Sequence, residues 1–114
     1  MADLIELRDG MRRFTEERAW SRFHDPKSLI LALVGEVGEL SELFQWLASD
    51  QAAEQAQHQP LRRRVEDEMS DVLLYLVRLA DVLEIDLGHA AEDKLVRSSA
   101  KHVPGASPHK VSPT

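Results

Sequence analysis

The chain has 114 residues, 43% of them hydrophobic and 30% charged, a composition typical of a single soluble domain with a modest core. The net charge of −6, with no basic block to offset it, argues against nucleic acid as a partner. The absence of cysteine excludes disulfides, thiolate catalysis and cysteine-bound zinc.

The N-terminal segment predicts a first helix that begins after Asp3, a good N-cap residue, and ends near Arg18. Apolar residues recur along it at helical spacing: Leu4, Leu7, Met11 and Phe14. The segment lacks the apolar centre of a signal peptide, and the longest apolar run of the chain, 29–34, is too short to span a membrane. We therefore expect a cytoplasmic protein without a membrane partner.

The next segment predicts an aromatic loop followed by a second helix. Residues 19–25 (AWSRFHD) form the loop, and Asp25 followed by Pro26 reads as an N-cap and the first helical position. We expect this helix to reach about Ser49. Its two interior glycines lie on either side of Glu36, and such glycines usually allow a close approach by another backbone or a ligand.

The rest of the chain predicts a polar connector, two more helices and a tail. The connector, 50–60, lacks large apolar residues but is rich enough in Ala, Gln and Glu to be partly helical. A third helix should run from Pro60 to about Leu83, and a fourth from the cap Asp86 to near His102. Residues 104–114, rich in Pro, Ser and Gly, should be disordered. No strand signal is visible, so residues 1–103 predict one all-α domain, a four-helix bundle.

Two pairs of acidic residues occupy apolar helix faces. Glu36 and Glu39 lie one turn apart on the second helix, and Glu68 and Asp71 are spaced in the same way on the third. Leucine and valine flank Glu36 and Glu68 at helical spacing, and a carboxylate in such a face costs several kcal/mol unless a cation meets it. Ligands that offer only oxygen suit magnesium or manganese, whereas the Glu-x-x-His pairs of di-iron bundles are absent.

The alternative is that these acids belong to solvated helix faces. One E-x-x-E pair is usually no more than that, but two pairs, each in an apolar stripe, favour a metal site. Glu42, Glu66 and Asp67 point elsewhere on their helices, and for them we prefer the solvated face.

The motifs together resemble a known family. They lie in ERAWSRFHDPKSLILALVGEVGELSELFQW (17–46) and EDEMSDVLLYLVRLA (66–80), and comprise E-x-x-E, E-x-x-D, a W-x-x-F-H-x-P loop and F-Q-W. Over 4–103 the chain resembles the all-α nucleoside triphosphate pyrophosphohydrolases of the MazG-like superfamily, in particular the dCTP pyrophosphatase branch. The resemblance implies magnesium-dependent cleavage of deoxynucleoside triphosphates to monophosphate and pyrophosphate, as a means of clearing unwanted nucleotides.

The resemblance also implies roles for individual residues. Glu36, Glu39, Glu68 and Asp71 would be the catalytic metal ligands for magnesium, or manganese as a substitute, and any uncoordinated carboxylate could take a proton from the attacking water. Three aromatic residues would surround base and sugar, and a lysine would meet the phosphates: Trp20, Trp46, Tyr75 and Lys94. Alternatively, the aromatic residues belong to the core and the lysine to the surface. His24 either braces its loop or contacts the substrate.

Helical spacing supports two of these aromatic assignments. Trp46 would lie two turns beyond Glu39, and Tyr75 lies one turn beyond Asp71, each on the acidic side of its helix.

The chain departs from the family pattern at three positions. Ser98 and His102 replace an asparagine and a tyrosine, and Met11 replaces a base-reading histidine. Because methionine offers only a soft apolar contact, we expect looser discrimination between bases.

Each acidic helix carries a second apolar row, which widens its apolar arc to about 200°. The rows comprise Ile30, Val34, Val37 and Phe44, and Met69, Leu73, Val77 and Ala80. This excess of apolar surface predicts a symmetric homo-oligomer, and the resemblance implies a tetramer, or else a dimer. A non-catalytic helical module that senses nucleotides is the alternative function, but the presence of all four acids favours an enzyme.

Overall fold

The computed structural model describes residues 1–102 and 104–105, and every regular element within them is helical. The helices are α1 (Leu4–Glu17), α2 (Pro26–Glu42), α3 (Ala52–Gln55), α4 (Leu61–Val82) and α5 (Leu87–Lys101), with one 3-10 turn at Ser21–Phe23. The all-α prediction is thus confirmed for the described residues. Apart from residues 104 and 105, the predicted tail lies outside them. No helix in the described ranges is both long and apolar enough to cross a membrane.

Three aspartates begin helices, as predicted. The side chains of Asp3, Asp25 and Asp86 each accept a hydrogen bond from the backbone N–H three residues further along, at 2.8–3.0 Å. Each bond satisfies an N–H group that the helix itself leaves unpaired, and is worth about 1 kcal/mol. Asp25 also accepts a bond from the Ser28 hydroxyl, and this bond is the main cause that lowers the pKa of Asp25. The cap fixes the start of α2 and the end of the aromatic loop before it.

The second helix is shorter than predicted. We expected it to reach Ser49, but α2 ends at Glu42, and the next residues form turns whose N–H groups bond to carbonyl oxygens three residues back at 3.0–3.2 Å. The last turn of α2 contains Glu39 and Glu42 and no basic residue. These negative charges repel the partial negative charge at the helix C-terminus, which disfavours continuation of the helix beyond Glu42. The placement of Trp46 on a continuous helix two turns beyond Glu39 is therefore wrong.

The connector and the later helices match the sequence more closely. The four-residue helix α3 lies inside the polar connector, which confirms that the connector is partly helical. Helix α4 begins directly after Pro60 and ends directly before Leu83, and α5 begins after its cap Asp86 and ends one residue before His102.

Helix α4 organises the packing, because both α2 and α1 lie against it. The loop before α2 contacts α4 through His24 and Arg78, whereas further along α2 Glu36 interacts with Glu68. As residue numbers rise from His24 to Glu36, the numbers of their partners on α4 fall from 78 to 68, so α2 and α4 run antiparallel. Leu29, Val77 and Ala80 are the buried hydrophobic residues of the described chain. Helix α5 packs sparsely, so the four-helix bundle stays a prediction.

Candidate functional site

Three of the four predicted acids meet where α2 packs against α4. One carboxylate oxygen from each of Glu36, Glu39 and Glu68 lies within 4.8 Å of the others. Glu36 and Glu68 are partly buried at the contact between the helices, and Glu39 is exposed one turn further along α2. We call these three residues the carboxylate cluster. Its oxygen donors could hold a hard divalent cation.

The cluster is electrostatically strained. Burial, a hydrogen bond with Glu68 and the negative charges of Glu39 and Asp71 raise the pKa of Glu36 from 4.5 to about 7. Burial also raises the pKa of Glu68. The negative charges of Glu39 and Asp71 raise the pKa of Glu68 as well, so the pair binds a proton more readily than two isolated carboxylates would.

Two oxygens of the cluster have no hydrogen-bond donor. Oε2 of Glu36 and Oε2 of Glu68 are buried and have no partner among the described residues. An ionised carboxylate can only accept hydrogen bonds, so each unpaired buried oxygen carries a desolvation cost that a cation would offset. The residues present therefore fit a divalent metal ion.

Asp71 lies beside the cluster and not within it. Its carboxylate is exposed and is not part of the three-residue group, although its charge raises the pKa of both Glu36 and Glu68. The same residue lines a neighbouring cavity of about 430 Å³ between α1 and α4. Asp71 thus connects the cluster to the cavity.

The cavity is mainly apolar and has the size of a small-molecule site. Its lining includes the following residues of α1, α4 and the loop between α1 and α2: Met11, Phe14, Trp20, His24, Asp71 and Tyr75. Three of the predicted substrate-binding residues, Trp20, His24 and Tyr75, are therefore brought together. Met11, for which we predicted only a soft apolar contact with the base, also lies in the lining.

The C-terminus of α1 fixes the position of Trp20. Ala19 adopts a positive φ of 55°, and the N–H groups of Ala19 and Trp20 bond to the carbonyls of Glu16 and Thr15 at 3.1 and 2.9 Å. This pair of bonds is a Schellman motif, which usually has glycine at the left-handed position. The indole then meets the Phe14 ring edge-on, with centroids 5.6 Å apart.

His24 is held by charged residues that we did not predict from the sequence. Nε of Arg78 donates to Nδ1 of His24 at 3.1 Å, and Arg78 also pairs with Asp81. Burial and the positive charge of Arg78 lower the pKa of His24. The spacing in the sequence could have placed Arg78 near the site, because Arg78 lies seven residues after Asp71 and three after Tyr75, on the same side of a helix.

Trp46 and Lys94 lie elsewhere in the described chain. Trp46 is 87% exposed in the turns after α2, and Lys94 is partly buried on α5. Neither lines the cavity that contains Trp20 and Tyr75. The roles of all the predicted site residues remain predictions.

A comparison with models of protein families shows to which family the chain is related. The model of the MazG nucleotide pyrophosphohydrolase domain matches residues 24–105. The chain belongs to the MazG family. The matched range includes the carboxylate cluster and Asp71, whereas Met11 and Trp20 precede it. The family resemblance identified in the sequence is thereby confirmed.

Individual proteins support the same relationship. The chain is 46% identical to dCTP pyrophosphatase 1 of Rattus norvegicus and 45% identical to that of Homo sapiens, in each case over 92 residues that cover 81% of this chain. It spans about half of each relative, 54% of their length. The crystal structure of a pyrophosphatase from Archaeoglobus fulgidus DSM 4304 superimposes with a TM-score of 0.80 at 37% identity, covering 90% of this chain and 94% of that one. This MazG chain therefore shares the fold of a solved pyrophosphatase.

Proposed function

We propose that the protein is a magnesium-dependent pyrophosphohydrolase that cleaves deoxynucleoside triphosphates such as dCTP between the α- and β-phosphates. The products are the nucleoside monophosphate and pyrophosphate, and the activity would clear unwanted nucleotides from the cytoplasm. One observation carries the proposal: the carboxylate cluster adjoins an aromatic-lined cavity, and Asp71 lies between them. The similarity to dCTP pyrophosphatases supports this choice of substrate.

The cluster would hold the metal. Glu36, Glu39 and Glu68 offer converging oxygens, and Asp71 completes the set from the cavity side. When bound, magnesium, or manganese in its place, neutralises triphosphate charge and lowers the pKa of a coordinated water. A carboxylate that stays uncoordinated takes the proton of the attacking water.

The cavity would hold the nucleoside. Trp20 offers a rigid aromatic face for the base, since the turn at Ala19 and the contact with Phe14 fix its position. Tyr75 lines the same cavity one turn beyond Asp71. A base stacked here would direct its phosphates past Asp71 towards the carboxylates that would hold the metal.

Exposed apolar surface supports a homo-oligomer. Several residues of the two apolar rows are between 38% and 62% exposed: Ile30, Val34, Val37, Met69 and Leu73. Val77 and Ala80 from the same rows are buried, so only part of this surface serves the core of one chain. A symmetric assembly, a tetramer or a dimer, would cover the exposed part. It would also allow Trp46 and Lys94 of a neighbouring subunit to complete the cavity. The net charge of −6 supports the expectation that the protein does not bind nucleic acid.

Pyrophosphate release tests the proposal directly. Purified protein is incubated with a panel of ribo- and deoxynucleoside triphosphates with magnesium, and separately with a chelator, and pyrophosphate is measured. We expect magnesium-dependent release, highest with dCTP. The variant Glu39→Gln should be inactive, whereas Glu66→Gln, which removes the same charge from an exposed face of α4, should be active. Nucleotide binding without any release of pyrophosphate would instead identify a sensor.

A further inference from the structure

We propose that Arg78 is a positioning residue that fixes the tautomer of His24, so that the ring presents its Nε2–H to the cavity as a hydrogen-bond donor for a carbonyl oxygen of the base. The inference rests on the proposed function, because it assigns the cavity to a nucleotide. It concerns a residue of α4 that neither lines the cavity nor belongs to the carboxylate cluster.

The contact between the two side chains determines the tautomer. Nε of Arg78 carries a hydrogen and donates it to Nδ1 of His24, at 3.1 Å. An arginine nitrogen cannot accept a hydrogen bond, so Nδ1 must present its lone pair. The proton of the neutral ring therefore lies on Nε2, on the opposite edge of the imidazole. Since His24 lines the cavity and Arg78 does not, we infer that this opposite edge is the one that the ring presents to a ligand.

A chain of charges holds the guanidinium in place. Arg78 is 7% exposed, and its Nη1 lies 3.2 Å from Oδ2 of Asp81. The same carboxylate accepts a hydrogen bond from Nε of Arg12 on α1, at 3.1 Å. Asp81 thus lies between two arginines from different helices, and these contacts lower its pKa, so that it stays ionised. A buried guanidinium with its partners in place has little freedom to rotate away from His24.

The neighbouring charge also keeps the ring neutral. Burial and the positive charge of Arg78 both disfavour the imidazolium form of His24, and both lower its pKa. The ring is therefore held in one protonation state and in one tautomer. A residue that only braced the loop would require neither condition.

The donor has a clear use in this cavity. Glu6 and Asp71 line it with acceptor groups, Trp20 and Tyr75 carry one donor group each, and most of the other lining residues are apolar. A carbonyl of a stacked base requires a donor, and a single well-placed hydrogen bond changes affinity by about five- to tenfold. His24 lines the same cavity as Trp20, which would stack that base.

Nitrogen NMR of the full chain tests the tautomer without any need for turnover. Protein labelled with ¹⁵N at histidine is examined at pH 7. We expect His24 to show a protonated Nε2 and an unprotonated Nδ1. In Arg78→Met, which keeps much of the apolar stem, we expect a mixture of tautomers, and Arg78→Lys should restore part of the preference because it keeps a cationic donor.

Binding of dCMP tests the consequence for the ligand. We expect Arg78→Met to weaken the Kd for dCMP about five- to tenfold, and the matched control Arg97→Met, which removes an exposed arginine on α5, to leave it unchanged. His24→Gln, whose amide N–H can reach the position of Nε2–H, should retain more affinity than His24→Asn.

The outcomes separate the two proposals. A wild-type His24 protonated on Nδ1, or on both nitrogens, would overturn the assignment even if Arg78→Met did not fold. So would a Kd in Arg78→Met equal to that in Arg97→Met. If the tautomer and the dCMP affinities behave as expected but no triphosphate is hydrolysed, the positioning role stands and the proposed activity fails.

Discussion

The strain of the carboxylate cluster predicts a pH-dependent gain of stability when Glu36 is replaced by glutamine. The pKa of Glu36 rises from 4.5 to about 7 on folding, so the folded chain binds the proton more tightly than the unfolded chain. Between these values the folded state holds more protons, and its stability therefore falls as pH rises. Above pH 7 the folded state carries the full free-energy cost of ionising Glu36. Glutamine cannot ionise and does not incur it.

The size of the effect follows from the same values. The interval from 4.5 to about 7 corresponds to a penalty of about 3 kcal/mol, since each tenfold change in proton affinity is worth about 1.4 kcal/mol. Glu36 is only partly buried, so solvent screens part of this energy, and we expect about 1–2 kcal/mol. For a domain of this size, that difference raises Tm by roughly 4–10 °C.

Thermal unfolding in the presence of a chelator measures the gain. Wild type and Glu36→Gln are compared at pH 4.5 and at pH 8, and Glu66→Gln removes an equal charge from the exposed face of α4 as a control. We expect Glu36→Gln to match wild type at pH 4.5 and to exceed it at pH 8. Added magnesium should then stabilise wild type more than the variant, because a ligand stabilises the state that binds it.

Two results would refute this reasoning. One is a Tm difference between Glu36→Gln and wild type that is the same at both pH values, which would mean that proton uptake by this carboxyl does not differ between the folded and unfolded chains. The other is an equal gain in Glu66→Gln, which would attribute the effect to the net charge of −6 and not to the cluster.

Further predictions concern activity, turns, recognition and assembly. Asp71→Asn should reduce pyrophosphate release at least a hundredfold while its circular dichroism spectrum matches that of wild type; near-normal turnover would contradict the four-carboxylate model. Ala19→Gly should raise the free energy of unfolding by about 0.5–1 kcal/mol because it relieves the positive φ, whereas Ala91→Gly inside α5 should lower it by a similar amount. Met11→His should increase the kcat/KM preference for dCTP over other deoxynucleotides. Trp46→Ala should weaken the binding of all these nucleotides to the same extent. If wild type already rejects every base other than cytosine by several orders of magnitude, a residue other than Met11 selects the base. Light scattering at micromolar concentration should show a dimer or tetramer, and a stable monomer would exclude the proposed assembly.

Local sequence rules were sufficient where the physics is local. Asp3, Asp25 and Asp86 begin helices because each side chain bonds to a backbone N–H three residues away, which a linear sequence displays directly. The two acidic pairs could be recognised because residues three apart share a helix face and apolar neighbours mark that face as packed. The meeting of Glu36 with Glu68 then required only that the two faces pack together.

Features that depend on helix ends or distant contacts could not be predicted in this way. The end of α2 at Glu42 has no glycine to mark it, and at the end of α1 an alanine, Ala19, takes the left-handed position that glycine usually fills. The contacts of Arg78 with His24 and of Arg12 with Asp81 join residues 54 and 69 positions apart. Helical periodicity gives no information about which distant side chain an arginine will meet.

Helix α4 determines the spacing between the two halves of the proposed site. Glu68 in the cluster, Asp71 between cluster and cavity, Tyr75 in the cavity lining and Arg78 in contact with His24 lie along one side of this helix. Ten residues of helix extend about 15 Å. Because a rigid helix sets this distance, the separation between Glu68 and the part of the cavity lining on α4 does not depend on loop closure, whereas Trp20 and His24 are positioned by the loop before α2. A nucleotide bound in the cavity would then direct its phosphates along α4, past Asp71, towards the cluster.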